Sequence, residues 1–559
     1  MERTRAVRTL GLLLIALVGC KAKGDAPTLS SVSSVNSAGF IVGPGGAPSA
    51  AQSGSGAADA SEAGEPPMTG PATPTVSLSG TYTAPAPLPP GTPVVGVTAW
   101  NVRVHKQPNR DAKLLGFLRG GAWVRATDQT AGPSRECRAG WLGILPGGWV
   151  CKDEVAAARA GELSAADHPV LKTGVRPPDF EQKLPYMYGT VTRGGPVYAR
   201  IPTAEQVKQY EPGLRKHLAK WRADKESGAR YGLDVWLRHE ASKDGDALEL
   251  FESGVTDPDL PDFLKDNKVA PNLSGLVETD SVVRVDQIDR RQGRSFVDTF
   301  LVEGRRYNLT PDLLVIPADR FRPIRGSDFR GFPVAELGIE PPFAIIRREG
   351  ARKFVPGKGG LVDDGPLEYR SLFKLTGKQK FHGGVLHFET TEGFYVGDRH
   401  ASRVDAAKRW PKWAQQGAKW MDVNLTKQVL VAYEGQKMVY ATLVSSGEDG
   451  LADPETAKRA TIRGIYRIHT KHASVTMDSS AVGEEFELRD VPYVQYFNEG
   501  YALHGSYWHD RFGTPKSHGC INLSPEDARR LYFWTEPSVP EGWHGAMKSL
   551  TGTVLFIHP

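Results

Sequence analysis

The stretch HGSYWHDRFGTPKSHGCINLS, from His504 to Ser524, places three histidines and one cysteine in a run rich in small and turn-forming residues. Cys520 follows His518 by two residues and His504 by sixteen. An ordinary thiol has a pKa of about 8.5 and is only a few per cent thiolate at neutral pH. Acyl transfer by such a thiol needs a base to take its proton during attack, and imidazole titrates closest to neutrality. Gly505 and Gly519 flank the two key residues, and glycine lets backbone turn and approach a substrate where a side chain would clash. Backbone N–H groups around Gly519 and Cys520 are expected to receive the oxyanion of a tetrahedral intermediate. Ser524-Pro525-Glu526-Asp527 reads as a helix cap, so a short helix over ARRLYFW is expected just after the cysteine. Its N-terminal potential would favour thiolate. The residue types alone fit a buried, inert thiol as well as a nucleophile.

Strands must position these groups. In KWMDVNLTKQVLVAYEGQKMVYATLVSSG, Val429, Val431 and Tyr433 alternate with Leu430 and Ala432. Glu434-Gly435 supplies a turn, and Met438, Tyr440 and Thr442 alternate on the way back, so the segment predicts a hairpin. Further strands are expected in GIYRIHTKHASVTM, VPYVQYF and GTVLFIH.

The combination of LHG, the sixteen-residue interval and SHGCINLSPEDA resembles the YkuD family of L,D-transpeptidases, and DVNLTKQVLVAYEG resembles that family's entry hairpin. The resemblance covers residues 415–559 and implies a β-sandwich catalytic domain with a short helix after the cysteine. It implies Cys520 as nucleophile, His504 as general base and the Gly505 carbonyl as the acceptor that fixes its tautomer. His518, with Gly519, would belong to the oxyanion or orienting shell. Ser517 and Asn522 match positions that shape the substrate loop, and Trp508 an aromatic position lining the groove; Tyr507 and Arg511 are candidates by proximity. Where the family commonly has Thr-Pro-x-Gly, this chain has Thr461-Ile462-Arg463-Gly464, a departure expected to matter little for activity. The implied reaction uses stem peptides of peptidoglycan, forms 3–3 cross-links and is blocked by carbapenems. Water or a protein lysine as acceptor, or a non-catalytic wall-binding role, are the alternatives. No cofactor or metal is expected, and His382, His387, His469 and His472 read as surface or core histidines.

The remaining chain sets the compartment. Arg3, Arg5 and Arg8 precede an apolar run, Leu10–Val18, too short to span a bilayer stably. It ends in Leu17-Val18-Gly19-Cys20, which resembles the lipobox of bacterial lipoproteins. Residues 1–19 are then a signal peptide and Cys20 the lipidation site, and Lys21 favours the periplasmic face of the outer membrane. Residues 20–92, mostly Ala, Gly, Ser, Pro and Thr, read as a disordered tether. Cys137 and Cys151, fourteen apart, are expected to form a disulfide in an oxidising compartment. A metal pair is the alternative, but no neighbouring His or Cys completes a zinc set.

At 559 residues the chain needs several domains. Residues 93–158 have short alternating strands broken by Gly-Gly and Pro-Asn turns, and resemble bacterial SH3-like barrels. A second such unit is expected over 180–330, interrupted by the helical TAEQVKQYEPGLRKHLAKWRADK, and a third small β unit over 340–406. Glycan binding is the functional reading of these units, and spacing the bland one. The net charge of +5 and the lack of a Lys/Arg block exclude a nucleic-acid binder.

Overall fold

The computed structural model describes residues 74–162, 168–223, 254–258, 260–273, 275–277, 282–478, 487–547 and 550–559. Cys20, the signal segment and most of the tether lie outside the described residues. The architecture is mainly β, built from one long sheet and several smaller ones.

The first unit contributes β1 (Leu114–Arg119) and the second β2 (Gly293–Phe296). The C-terminal domain contains β3 (Lys419–Asn424), β4 (Val429–Glu434), β5 (Lys437–Leu443), β6 (Gly464–Arg467) and β7 (Thr470–Asp478). It continues with β8 (Glu487–Asn498), β9 (Tyr501–Gly505), β10 (Ile521–Leu523), helix α1 (Pro525–Trp534), β11 (Gly545–Met547) and β12 (Val554–His558). The expected hairpin is β4–β5, with Glu434 opposite Lys437. GIYRIHTKHASVTM divides into β6 and β7, which enter different sheets.

Two sheets form a sandwich. Strands β5, β4, β3, β12 and β6 make one layer in that order. Strands β7 to β10 make the other, with β9 pairing β8 antiparallel and β10 in parallel. Met421, Val423, Leu430 and Ala432 point into the core that Leu503, Ile521 and Leu523 share. Trp420, Val429, Val431 and Tyr433 occupy the opposite face, as the two-residue period of a strand requires. Helix α1 is capped by the Ser524 hydroxyl, which accepts from Asp527 N at 3.1 Å.

The domains are not beads on a string. Gly545 of β11 pairs with Phe117 of β1, and Leu488 of β8 pairs in parallel with Gly293 of β2. One fifteen-stranded sheet therefore runs from the second unit through the C-terminal domain into the first. Asp490 pins the three together. Its carboxylate accepts from Ser295 at 2.5 Å and Ser474 at 2.9 Å and lies 3.5 Å from Arg119, while its carbonyl accepts from Tyr188 at 2.6 Å. Breaking such a buried ionic contact by removing one partner costs about 3–5 kcal/mol.

Three further observations bear on the expected boundaries. Residues 74–92 depart from the tether expectation: Thr75–Val76 pairs with Tyr82–Thr83, and Arg530 of α1 donates to the Leu78 carbonyl at 3.0 Å. Val76 is buried, and Leu78 packs against the main core. The insertion contains helices at Ala204–Tyr210 and Leu214–Ala223, the first opened by a Thr203/Gln206 capping box. The third unit is a seven-stranded sheet that begins at Phe343–Ile346 and ends at Ala401–Val404. The sulfurs of Cys137 and Cys151 are bonded to one another, so they offer no thiolate pair to a metal.

Candidate active site

The parallel pairing of β9 with β10 brings the sixteen-residue interval together. Leu503 pairs with Ile521 and His504 with Asn522, so Cys520 enters β10 directly beside the strand that carries His504. His504 is buried, and its Nδ1 lies 3.3 Å from the Gly505 carbonyl. A carbonyl only accepts, so Nδ1 carries the proton and Nε2 keeps its lone pair. Burial holds the imidazole down at about 4.

The thiol is held in its neutral form. Burial pushes Cys520 up to about 11, against a small opposing contribution from a hydrogen bond to the Ala502 backbone. Its Sγ donates weakly to the Gly500 carbonyl at 3.6 Å. Burial raises the phenols of Tyr496 and Tyr501, and the neighbouring Cys520 adds to the rise in both. The expected help from α1 is offset, because Glu526 and Asp527 occupy its first turn. Thiol and imidazole thus rest as a neutral pair.

The turn before the cysteine is braced from three sides. Ser517 Oγ donates to the Cys520 carbonyl at 2.5 Å and accepts from Gly519 N at 3.1 Å. Thr461 Oγ1 donates to the Gly519 carbonyl at 2.8 Å and accepts from Gly447 N at 2.8 Å. Gly519 has φ +123°, and a Cβ there would lie 2.9 Å from Tyr501 Cε1, so the position excludes other residues. Gly519 N–H, expected to face the oxyanion, donates to Ser517 Oγ here, and Gly519 is also the residue on which the turn depends.

Other candidates divide clearly. Trp508 is half-buried with its ring 5.7 Å from that of His504. Tyr507 is not a groove residue: it is 2% exposed, stacks on Tyr188 at 4.3 Å and donates to the Arg489 carbonyl. Ser517 and Asn522 are buried and bond within the protein, so they shape the loop rather than face substrate. Arg511 is exposed, and its carbonyl accepts from Ser445 Oγ at 2.6 Å. His518 is half-buried; burial and then the Arg459 charge hold its imidazole below the ordinary range.

The sequence reading missed His509. Its Nδ1 accepts from Arg511 N at 3.2 Å, so Nε2 carries the proton and meets the Asn522 side-chain amide at 2.9 Å. It ties the loop after β9 to the strand after Cys520. The third unit grips the same loop. Arg370 donates to the Asp510 carboxylate at 2.5 and 3.2 Å and to its carbonyl at 3.0 Å, and Tyr369 OH donates to the Phe512 carbonyl at 3.0 Å. Apart from the local HxxxxH spacing of His504 and His509, no sequence signal points to these contacts.

Residues 418–553 match the L,D-transpeptidase catalytic domain, YkuD. The C-terminal domain is a YkuD domain. The chain is 27% identical over 148 residues to YciB of Bacillus subtilis, whose name assigns it provisionally to the L,D-transpeptidases, and it spans 61% of that protein's length and 22% of its own. The catalytic domain of the E. faecium L,D-transpeptidase is similar at 23% identity, over 25% of this chain and 98% of that one, with a TM-score of 0.19. L,D-transpeptidase 3 of Mycobacterium tuberculosis, solved with a faropenem-derived adduct, is similar at 20% identity over 33% of this chain and 79% of that one, with a TM-score of 0.20. The YkuD domain thus occupies the same C-terminal part of the chain as the candidate site.

Proposed function

We propose that the protein is a peptidoglycan L,D-transpeptidase that forms 3–3 cross-links through a thioester on Cys520. The observation that carries this reading is the strand pairing that sets Cys520 beside the tautomer-fixed His504 inside a YkuD domain. Cys520 Sγ attacks the carbonyl between the L-centre of diaminopimelate and D-Ala in a tetrapeptide stem. The new S–C bond replaces the C–N bond, and the thiol proton passes through His504 Nε2 to the departing D-Ala amine. The side-chain amine of a neighbouring stem then attacks the thioester, transfers a proton to His504 and releases the thiolate for reprotonation. Neutral resting partners suit this route, because the imidazole is free to accept when attack begins. Lipidation at Cys20 would hold the enzyme at a membrane face beside the wall.

The test is mass spectrometry of disaccharide-tetrapeptide incubated with the protein carrying Cys20→Ser. D-Ala release with tetrapeptide–tripeptide dimers, absent in Cys520→Ala, is the expected result. Tripeptide alone would indicate water as acceptor. Unchanged substrate alongside a faropenem adduct on Cys520 would refute this donor.

A further inference from the structure

We infer that a groove on the outer face of the β3–β4 layer is a saccharide-binding site, separate from the Cys520 site. The groove encloses about 460 Å³, within the roughly 300–1,000 Å³ of ligand sites. Its floor is the stacked pair Trp420 and Tyr433, with ring centroids 4.4 Å apart and planes 9° from parallel. Two half-buried indoles stand across that floor: Trp410 meets Tyr433 at 77°, and Trp413 meets Trp420 at 74°. The far wall is Phe556, stacked on His558 at 4.8 Å.

Polar groups border the rings. Asp422 pairs with His558 at 2.9 Å and Asp405 with Arg403 at 2.6 Å, and Asn424, Arg409 and Lys427 line the same groove. A pyranose ring has an apolar C–H face that suits an indole and a rim of hydroxyls that suits carboxylate and amide oxygens. An acyl chain would cover this polar, charged rim without hydrogen bonding to it. The aromatic floor with a rim of both charges therefore favours an amphipathic saccharide.

The groove lies on the opposite face of the sheet from the core that contacts β9 and β10. It is therefore not a subsite touching Cys520. Trp410 and Trp413 come from the segment joining the third β unit to the YkuD domain, so that unit helps to build the site. Assigning the saccharide to wall glycan rests on the transpeptidase reading; saccharide binding itself does not.

The experiment uses the whole chain with Cys20→Ser, titrated by calorimetry with N-acetylglucosamine tetramer and with peptide-free glycan strands. Binding of both is expected, weakened at least tenfold in Trp410→Ala and Trp413→Ala, with faropenem acylation of Cys520 within twofold of the parent. The tetramer should also protect Trp410 and Trp413 from N-bromosuccinimide oxidation, a readout that needs no variant. Failure of the parent to bind either ligand, or indole variants that bind equally well, would overturn the site. Tetramer binding without strand binding would overturn the wall-glycan assignment. Glycan binding in a parent whose Cys520 resists faropenem would leave the groove standing and count against the transpeptidase reading alone.

Discussion

The resting protonation of Cys520 makes the sharpest prediction. With the thiol pushed up to about 11, the thiolate fraction at pH 7 is about 10⁻⁴, against about 3 × 10⁻² for an ordinary thiol at about 8.5. Higher basicity returns part of that loss: with a Brønsted coefficient of about 0.4–0.5, two and a half pKa units make the thiolate about thirteenfold more nucleophilic. Alkylation of Cys520 by iodoacetamide at pH 7 should then run about twentyfold slower than that of a small free thiol. It should rise about tenfold per pH unit from 7 to 10 without a plateau. The assay follows carbamidomethylation of Cys520 by mass spectrometry in the Cys20→Ser protein; Cys137 and Cys151 are bonded and silent. His504→Ala should leave this profile nearly unchanged while abolishing acylation by a peptide donor, because burial rather than an ion pair sets the thiol. A rate that levels off below pH 7 would mean a thiolate–imidazolium pair and would refute the neutral-pair mechanism.

Three further outcomes follow from particular contacts. Gly519→Ala should lose about 1–3 kcal/mol of stability and slow faropenem acylation more than tenfold, because the position has φ +123° and Tyr501 crowds a Cβ; a melting scan and adduct kinetics check both. Arg370→Ala should cost only about 1 kcal/mol, since Asp510 is 56% exposed, yet lower kcat/KM for peptide donors about tenfold by loosening the loop of Trp508 and His509. An unchanged kcat/KM would make Arg370 purely structural. Lys471 is buried against the end of α1, donates to the Thr535 carbonyl at 2.9 Å, and is lowered by burial to about 7. Between pH 7 and 10 the unfolded chain holds the proton and the folded chain does not, so stability should rise by about 1.4 kcal/mol per pH unit. Denaturant titrations of Lys471→Met should lack that slope.

Much of the YkuD domain is legible from local pattern. The hairpin of Val429–Leu443 and the capped helix after Ser524 follow from period, turn and cap residues only a few positions apart. His504 and Cys520 stand out because their residue types and spacing are unusual, and Gly519 because no side chain fits that turn. Chemistry of this kind is local in sequence, and so the sequence by itself singled out Cys520 and His504, though not His509.

The tertiary structure alone decided what state those residues rest in and what holds them. The thiol's high pKa comes from burial among groups that include Tyr496 and Tyr501, and the brace on Gly519 comes from Thr461, in the loop whose departure from the family pattern was expected to matter little for activity. Tyr507, a candidate only by proximity in sequence, is withdrawn from the site by Tyr188, more than three hundred positions earlier, which stacks upon it. The joining of three units into one sheet rests on pairings such as Gly293 with Leu488 and Phe117 with Gly545. Backbone groups make those bonds, and backbone is the same at every position, so such partners have no sequence signature. Burial and electrostatics depend on everything packed around a group, and that environment exists only once the distant strands have met.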